Sequence, residues 1–452
     1  MARSILVAVR QIKSELARFL APDFIRQVCE SVGHVWRNRI LDPVTTLHLF
    51  ALQILHGNTA CAHVPRLGAV KCTGEAFVQA RQRLPLGVLE RLLGAVREHL
   101  LGGPALDEGR WHGHRTFLGD GSGVSMPDTP ELQKAFGQSG VQKPGCGFPV
   151  MHLLAMFHAA TGLLIRVAAA PLRTHDMSRI GQLHPDLSAG DVLVGDRAFC
   201  SFAHLALLAM RQVFSVFRVH QKQIVDFRPR RRTASSRSRR RGERGLPTSR
   251  WRKRLGRHDQ LVEYVKPRQR PTWISAEAYA VLPDTITVRE LRYTIVIAGR
   301  RTRVITLATT LLDPELYPAA DVAELYGQRW QIETNLRHLK QTLRMDVLRC
   351  RTVAGVNKEL TMYAVIYNLV RQVMLAAAER QQVPVTRISF IDAVRWLAEA
   401  VHGPVELKLR LVPDRPGRVE PRAVKRRPKE YDRLNQPRPI LRKRETAKRL
   451  AT

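Results

Sequence analysis

Leucines fall on one face of Pro43–Leu55 and of Gly87–Leu101 at helical spacing, so the first 110 residues read as mostly helical. Between them, Glu75–Arg83 (EAFVQARQR) reads as a shorter helix. Its arginines and glutamines suit phosphates or base edges as well as they suit a solvated face. From about residue 111 the texture changes to short apolar runs. Arg115–Gly121 ends in Asp-Gly, Met151–His158 and Leu163–Ala170 flank an Ala160-Thr161-Gly162 turn, and Asp191–Gly195 opens onto Asp196. With helices over Asp176–Leu183 and Ser201–Met210 and a strand over Val213–Val219, these runs predict an α/β unit. Further on, Val, Ile, Thr and Tyr alternate or run through Leu261–Lys266, Thr285–Tyr293, Thr294–Ala298 and Arg303–Leu311, which predicts a β-rich segment. Glu359–Glu379 is apolar nearly all round, the mark of a buried helix, and Ser389–Val401 reads as another.

The stretch Leu325–Arg349 carries both a core-facing stripe and a chemical one. Leu325, Ile332, Leu336, Leu339 and Leu343 form the apolar stripe. Arg329, Glu333 and Lys340 stand three, seven and fourteen residues after Tyr326. At about 100° per residue, a continuous α-helix would gather all four on an arc about 60° wide. A carboxylate, an arginine, a lysine and a tyrosine so arranged suit phosphate and a metal, although ordinary i, i+4 pairing would give the same pattern.

Charge narrows the choice of partner. The chain has 73 Lys and Arg against 39 Asp and Glu, a net +34, which calls for a polyanion such as nucleic acid. Arg228–Arg257 holds fourteen Arg and Lys and one acid, and reads as a loop that orders on DNA. The last fifty residues hold sixteen Lys and Arg and seven prolines, and read as an extended basic tail along phosphates or a second subunit. Six scattered cysteines without a C-x-x-C pair suggest reduced thiols in a cytoplasmic protein. The N-terminal MARSILVAVRQIKSEL lacks a signal-peptide apolar run. Met151–Leu172, the most apolar stretch, is broken by His152, His158, Arg166 and the Thr161-Gly162 turn, so no membrane is expected.

Tyr, two residues, Arg, three residues, Glu, six residues, Lys is a spacing that Tyr326, Arg329, Glu333 and Lys340 fill without a gap. Upstream stand Asp120-Gly121-Ser122 and Asp196-Arg197. Taken together these residues resemble the DDE transposases of insertion-sequence family four, across residues 115–375. The resemblance implies an RNase H-like α/β catalytic domain with Asp120, Asp196 and Glu333 as catalytic metal ligands. It implies two magnesium ions, with manganese able to substitute, and DNA contacts from Tyr326, Arg329 and Lys340, to which we add Arg197 beside the second aspartate. It also implies a β-rich insertion between the second aspartate and the glutamate, where Trp251 or Trp273 is a candidate to stack on a flipped base. The expected partners are double-stranded DNA, as terminal inverted repeats and as target, and a second copy of the chain. The expected layout is a helical DNA-binding or assembly domain over 1–110, the catalytic domain in two parts over 111–220 and 316–402, the insertion over 221–315, and the tail over 403–452. The residues alone leave open a structure-selective nuclease with the same triad, or a non-catalytic DNA-binding descendant of such an enzyme.

Overall fold

The computed structural model describes residues 18–103, 106–107, 109–174, 176–234, 245–295, 303–399, 407–413 and 434–451. The N-terminal amphipathic segment, the centre of the Arg-rich stretch, residues 296–298 and most of the basic tail lie outside the described residues.

The N-terminal part is helical, with α1 (Pro22–Ser31), α2 (Pro43–Leu55), α3 (Gly74–Arg83) and α4 (Leu86–Gly102). Local chemistry starts them. Asp42 accepts from the Thr45 N–H at 2.7 Å with Pro43 in the first turn of α2, and the Thr73 hydroxyl accepts from Ala76 at the start of α3. Both α2 and α4 pack on α9 (Val353–Gln381), a mostly buried helix that also touches the sheet. Its 18-residue apolar window is 89% buried, and among the described residues no other helix is long and apolar enough to cross a membrane. Two buried charges on α9 lock the parts together. Lys358 donates to the terminal carbonyls of α3, at Arg81 (3.2 Å) and Gln82 (2.9 Å). Glu359 accepts from Asn58 (2.7 Å) and from the backbone N–H groups of Arg349 and Cys350.

One nine-stranded sheet runs through the rest, in the order β3-β2-β1-β4-β5-β9-β8-β7-β6. Its first half comprises β1 (Thr116–Ser125), β2 (Val150–His158), β3 (Leu164–Pro171), β4 (Val192–Gly195) and β5 (Phe214–Arg218). Here β1, β2 and β3 form an antiparallel meander, with the helix α5 (Pro130–Phe136) between β1 and β2, and β4 and β5 run parallel to β1. α6 (Phe202–Met210) makes the crossover from β4 to β5. The second half comprises β6 (Arg250–Gly256), β7 (Asp259–Val265), β8 (Thr285–Ile295) and β9 (Arg303–Thr309), all antiparallel. It joins the first half where β9 pairs with β5. Fully buried Arg289 on β8 ties this half to the segment leading into the signature stretch, through Asp259 (Nε to Oδ1, 2.9 Å) and the Tyr317 carbonyl (2.6 Å).

Several expectations change. Asp176–Leu183 forms short 3-10 turns instead of an α-helix. Thr285–Tyr293 and the start of Thr294–Ala298 are one strand, β8. Arg250–Gly256, read as loop from its charge, is the edge strand β6, whose arginines point to solvent while β7 supplies its only described ladder. The tail is not wholly extended either. Arg438–Ala451 is a helix, anchored by Arg438 on Asp128 (3.0 Å) and over the Phe148 ring (3.9 Å to its centroid).

Buried histidines set an acid limit on this fold. Burial pushes His158, His184 and His338 down to about 4 and His204 to about 3. These folded-state values lie below the ordinary histidine range, so their neutral rings favour the native state fully above about pH 6.5. That contribution drains away as pH falls, because the unfolded chain takes up the protons first. The free energy of unfolding, read from urea titrations, is therefore expected to drop between about pH 6.5 and 4, by several kcal/mol in total. A flat profile over that window would contradict the burial of these rings.

Candidate active site

Adjacent parallel strands place the two aspartates. The β1–β4 pairing ends at Gly119 opposite Gly195, and Asp120 and Asp196 are the next residues on their strands. Neighbouring strands lie about 4.8 Å apart, so the two carboxylates leave the same end of one ladder. Asp120 is not at the end of β1, as its sequence suggested, because β1 continues to Ser125 against β2. It stands where β4 drops away. Its Oδ1 accepts from the Gly121 N–H at 2.8 Å, while Asp196 precedes a 3-10 turn without capping it. Arg197 is exposed and donates to Gln221 (2.7 Å), and among the described residues it makes no ion pair with Asp196.

Phe199 sits under this strand end, fully buried. A Cβ on Gly195 would stand 2.8 Å from the Phe199 ring, and one on Gly119 would stand 3.2 Å from it. Gly195→Ala is therefore expected to cost about 1–3 kcal/mol and to displace the turn carrying Asp196. A melting temperature equal to that of the parent would show that the ring yields freely.

The signature stretch departs from a continuous helix. α7 (Ala319–Gly327) ends, Gln328 and Arg329 turn, α8 (Trp330–Arg337) follows, and His338–Thr342 is a π-helical turn. The expected apolar stripe is buried, from Leu325 and Ile332 to Leu336, Leu339 and Leu343. The single polar arc is not kept. An i→i+5 turn inserts an extra residue into the helical repeat, and Lys340 reaches the Ser122 hydroxyl (3.0 Å). Burial lowers the Lys340 pKa, partly offset by Asp346.

Arg329 is the centre of the cluster. Its guanidinium stands 3.7 Å from Asp120 Oδ2 and 3.5 Å from Glu333 Oε1, with side-chain exposures of 13%, 25% and 48% for Arg329, Asp120 and Glu333. Both carboxylates meet one rigid planar fork, so they lie within about 10 Å of each other. Burial works against the Arg329 charge, but Tyr326 and the carboxylates of Asp120, Asp196 and Glu333 outweigh it and raise its pKa. The Arg329 Nε is buried without a hydrogen-bond partner. Tyr326 is 5% exposed, too enclosed to pack on a DNA strand. Burial raises its pKa, with Arg329 opposing, and the guanidinium carbon lies 5.8 Å from its ring centroid.

Three neighbours were not singled out from the sequence. Ser122 was visible only as the third residue of Asp-Gly-Ser. Trp330, 53% exposed, lies under the Arg329 guanidinium at 5.4 Å. Tyr293 comes from β8, its hydroxyl buried without a partner and its pKa pushed to about 12 by burial, with Tyr326 adding to the shift. No spacing in the chain links Tyr293 to this place. Trp251 and Trp273 are both partly buried, and the Trp251 indole N–H has no partner.

As donors, Asp120, Asp196 and Glu333 offer only oxygen, the choice of a hard divalent cation. Among the described residues no three His, Cys, Asp or Glu side chains close on one point. A pair of ions needs only one or two carboxylates for each, and the cationic Arg329 already stands among these three. By donor chemistry, though without closing on one point, the three carboxylates suit such a pair.

An α/β sheet with two aspartates just beyond the same end of the β1–β4 ladder, and a helix bearing a glutamate beside Arg329, makes a candidate carboxylate site suited to phosphodiesters. Residues 111–369 match the family model described as Transposase DDE domain, over more than half of the chain, and the chain belongs to that family. This is the family expected from the Tyr-Arg-Glu-Lys spacing. The chain is 25% identical, over 307 residues, to the transposase InsG for insertion sequence element IS4 of Escherichia coli (strain K12). The alignment covers 67% of this chain and 62% of that relative, so the match spans under two thirds of InsG. A solved structure of piggyBac transposase, in a synaptic complex with hairpin DNA, is similar at a TM-score of 0.43 and 11% identity, covering 87% of this chain and 79% of that one.

Proposed function

We propose that the protein is a DNA transposase that cuts at the ends of its own mobile element and joins the 3′-ends to target DNA. The observation that carries this is Arg329 standing against both Asp120 and Glu333, with Asp196 next to Asp120 beyond the end of the β1–β4 ladder, in a chain of the Transposase DDE domain family. The antiparallel β3-β2-β1 meander with β4 and β5 parallel to β1 supports an RNase H-like catalytic unit. Strands β6–β9 then form the insertion, α1–α4 the N-terminal domain, and the basic C-terminal segment an arm for DNA or a second subunit.

In this reading Asp120, Asp196 and Glu333 are the residues that would hold a pair of divalent cations, magnesium or manganese. When bound, such a pair stabilises the attacking and leaving oxygens of the phosphodiester. Arg329 and Lys340, now held by carboxylates and by Ser122, turn to the flanking phosphates, and exposed Arg197 adds a contact beside Asp196. Tyr326 acts from the protein side, holding Arg329, because it is buried. The substrates are double-stranded DNA with terminal inverted repeats and a target duplex, handled in the cytoplasm by a homodimer that pairs the two ends.

A strand-transfer assay with a pre-cleaved end tests the reading. Products joined to target DNA, dependent on divalent metal, are expected. Cleavage without joining would make the protein a nuclease, and neither activity would leave a DNA-binding descendant.

A further inference from the structure

A cavity of about 970 Å³ lies in the N-terminal domain, away from the carboxylate cluster. Its walls are the loop after α1, the residues before α3, and α3 itself. Arg37, Arg39, Lys71 and Arg83 line it together with His34 and Trp36, and no carboxylate lines it among the described residues. All four cations are exposed. Four like charges around one concavity repel each other unless an anion enters, which makes a second segment of this basic chain a poor occupant. Trp36 is half-buried on the core, and its ring is stacked on His34 with centroids 5.9 Å apart and planes at 28°. Burial lowers the His34 pKa. On the rim, Val35 and Ile40 stand 90% and 61% exposed, apolar side chains with little of the protein to pack on.

We infer that this cleft binds unpaired DNA nucleotides, with Trp36 as the stacking platform and Arg37, Arg39, Lys71 and Arg83 tracking the phosphates. A duplex cannot use the platform, because its base faces are already stacked on each other. An unpaired base has a face free for the indole and is held by a basic groove whatever its identity. Val35 and Ile40 are placed to press on base faces at the junction where pairing ends, as apolar wedges do. The inference rests on the proposed action on DNA and adds a second contact, with single strands, outside the carboxylate site.

The test uses the full chain and two fluorescently labelled probes, a twenty-residue oligothymidylate and a blunt duplex of equal length. Trp36→Leu is expected to weaken oligothymidylate binding about 10- to 100-fold, to leave duplex binding within about 3-fold, and to be rescued by Trp36→Phe. Arg37→Gln with Arg39→Gln, both at exposed positions, is expected to lower the salt dependence of oligothymidylate binding by about 1.4 in the logarithmic slope. Unchanged oligothymidylate affinity and slope in these variants, with duplex binding intact in the parent, would overturn the cleft assignment alone. Equal losses on both probes would make the cleft a duplex site and overturn it too. A parent that binds neither probe would remove the DNA reading on which the inference rests.

Discussion

Asp120→Asn, Asp196→Asn and Glu333→Gln are each expected to lower metal-dependent strand cleavage by about 10³-fold or more, with end binding within about 3-fold of the parent. The amides keep the shape of the side chains and remove only the charge. In Asp120→Asn the amide oxygen can still accept from the Gly121 N–H, so β1 is not disturbed. Glu333 is about half exposed, and its loss to Gln takes away a weak, partly solvated pair with Arg329, worth under about 1 kcal/mol. Melting temperatures near that of the parent should therefore accompany the loss of cleavage. Gel assays on a labelled end measure both readouts. A variant that still nicks at the parental rate takes its residue out of the site.

The second large effect is at Arg329. Arg329→Ala removes the cation that stands between Asp120 and Glu333, and is expected to lower cleavage about 10²- to 10³-fold. Arg329→Lys should recover only part of this, because a single ammonium cannot span Asp120 and Glu333 as the planar fork does. An alanine variant that cleaves at near the parental rate would show that Arg329 only fills space.

Much of the site was legible because it depends on local signals. The Asp-Arg pair marks where β4 leaves its ladder with β1, Asp-Gly-Ser lies within β1 at that same point, and the leucine stripe of the signature stretch requires a buried face, which it has. What was not legible depends on contacts far apart in the chain. Lys340 meets Ser122 across 218 positions, and the π turn that brings it there has no signature in the run His338–Thr342. Strand β6 is written in arginines, and β-propensity and charge both argue against it. It forms because β7 offers an unpaired edge and the solvent face tolerates charge. Tyr293 could not be found from the sequence either, since only the packing of β8 brings it to Tyr326. The tail helix is short and basic, and its beginning is set by Arg438 meeting Asp128, 310 positions away.

The pairing of β9 with β5 has a practical consequence for shortening the protein. Trimming residues 221–309 to obtain a minimal catalytic unit would strip β5 of its outer neighbour and leave a row of unsatisfied amides and carbonyls along Phe214–Arg218. Such a truncation would yield a sticky, self-associating fragment, so a soluble minimal unit has to keep β9 or replace it with a capping strand.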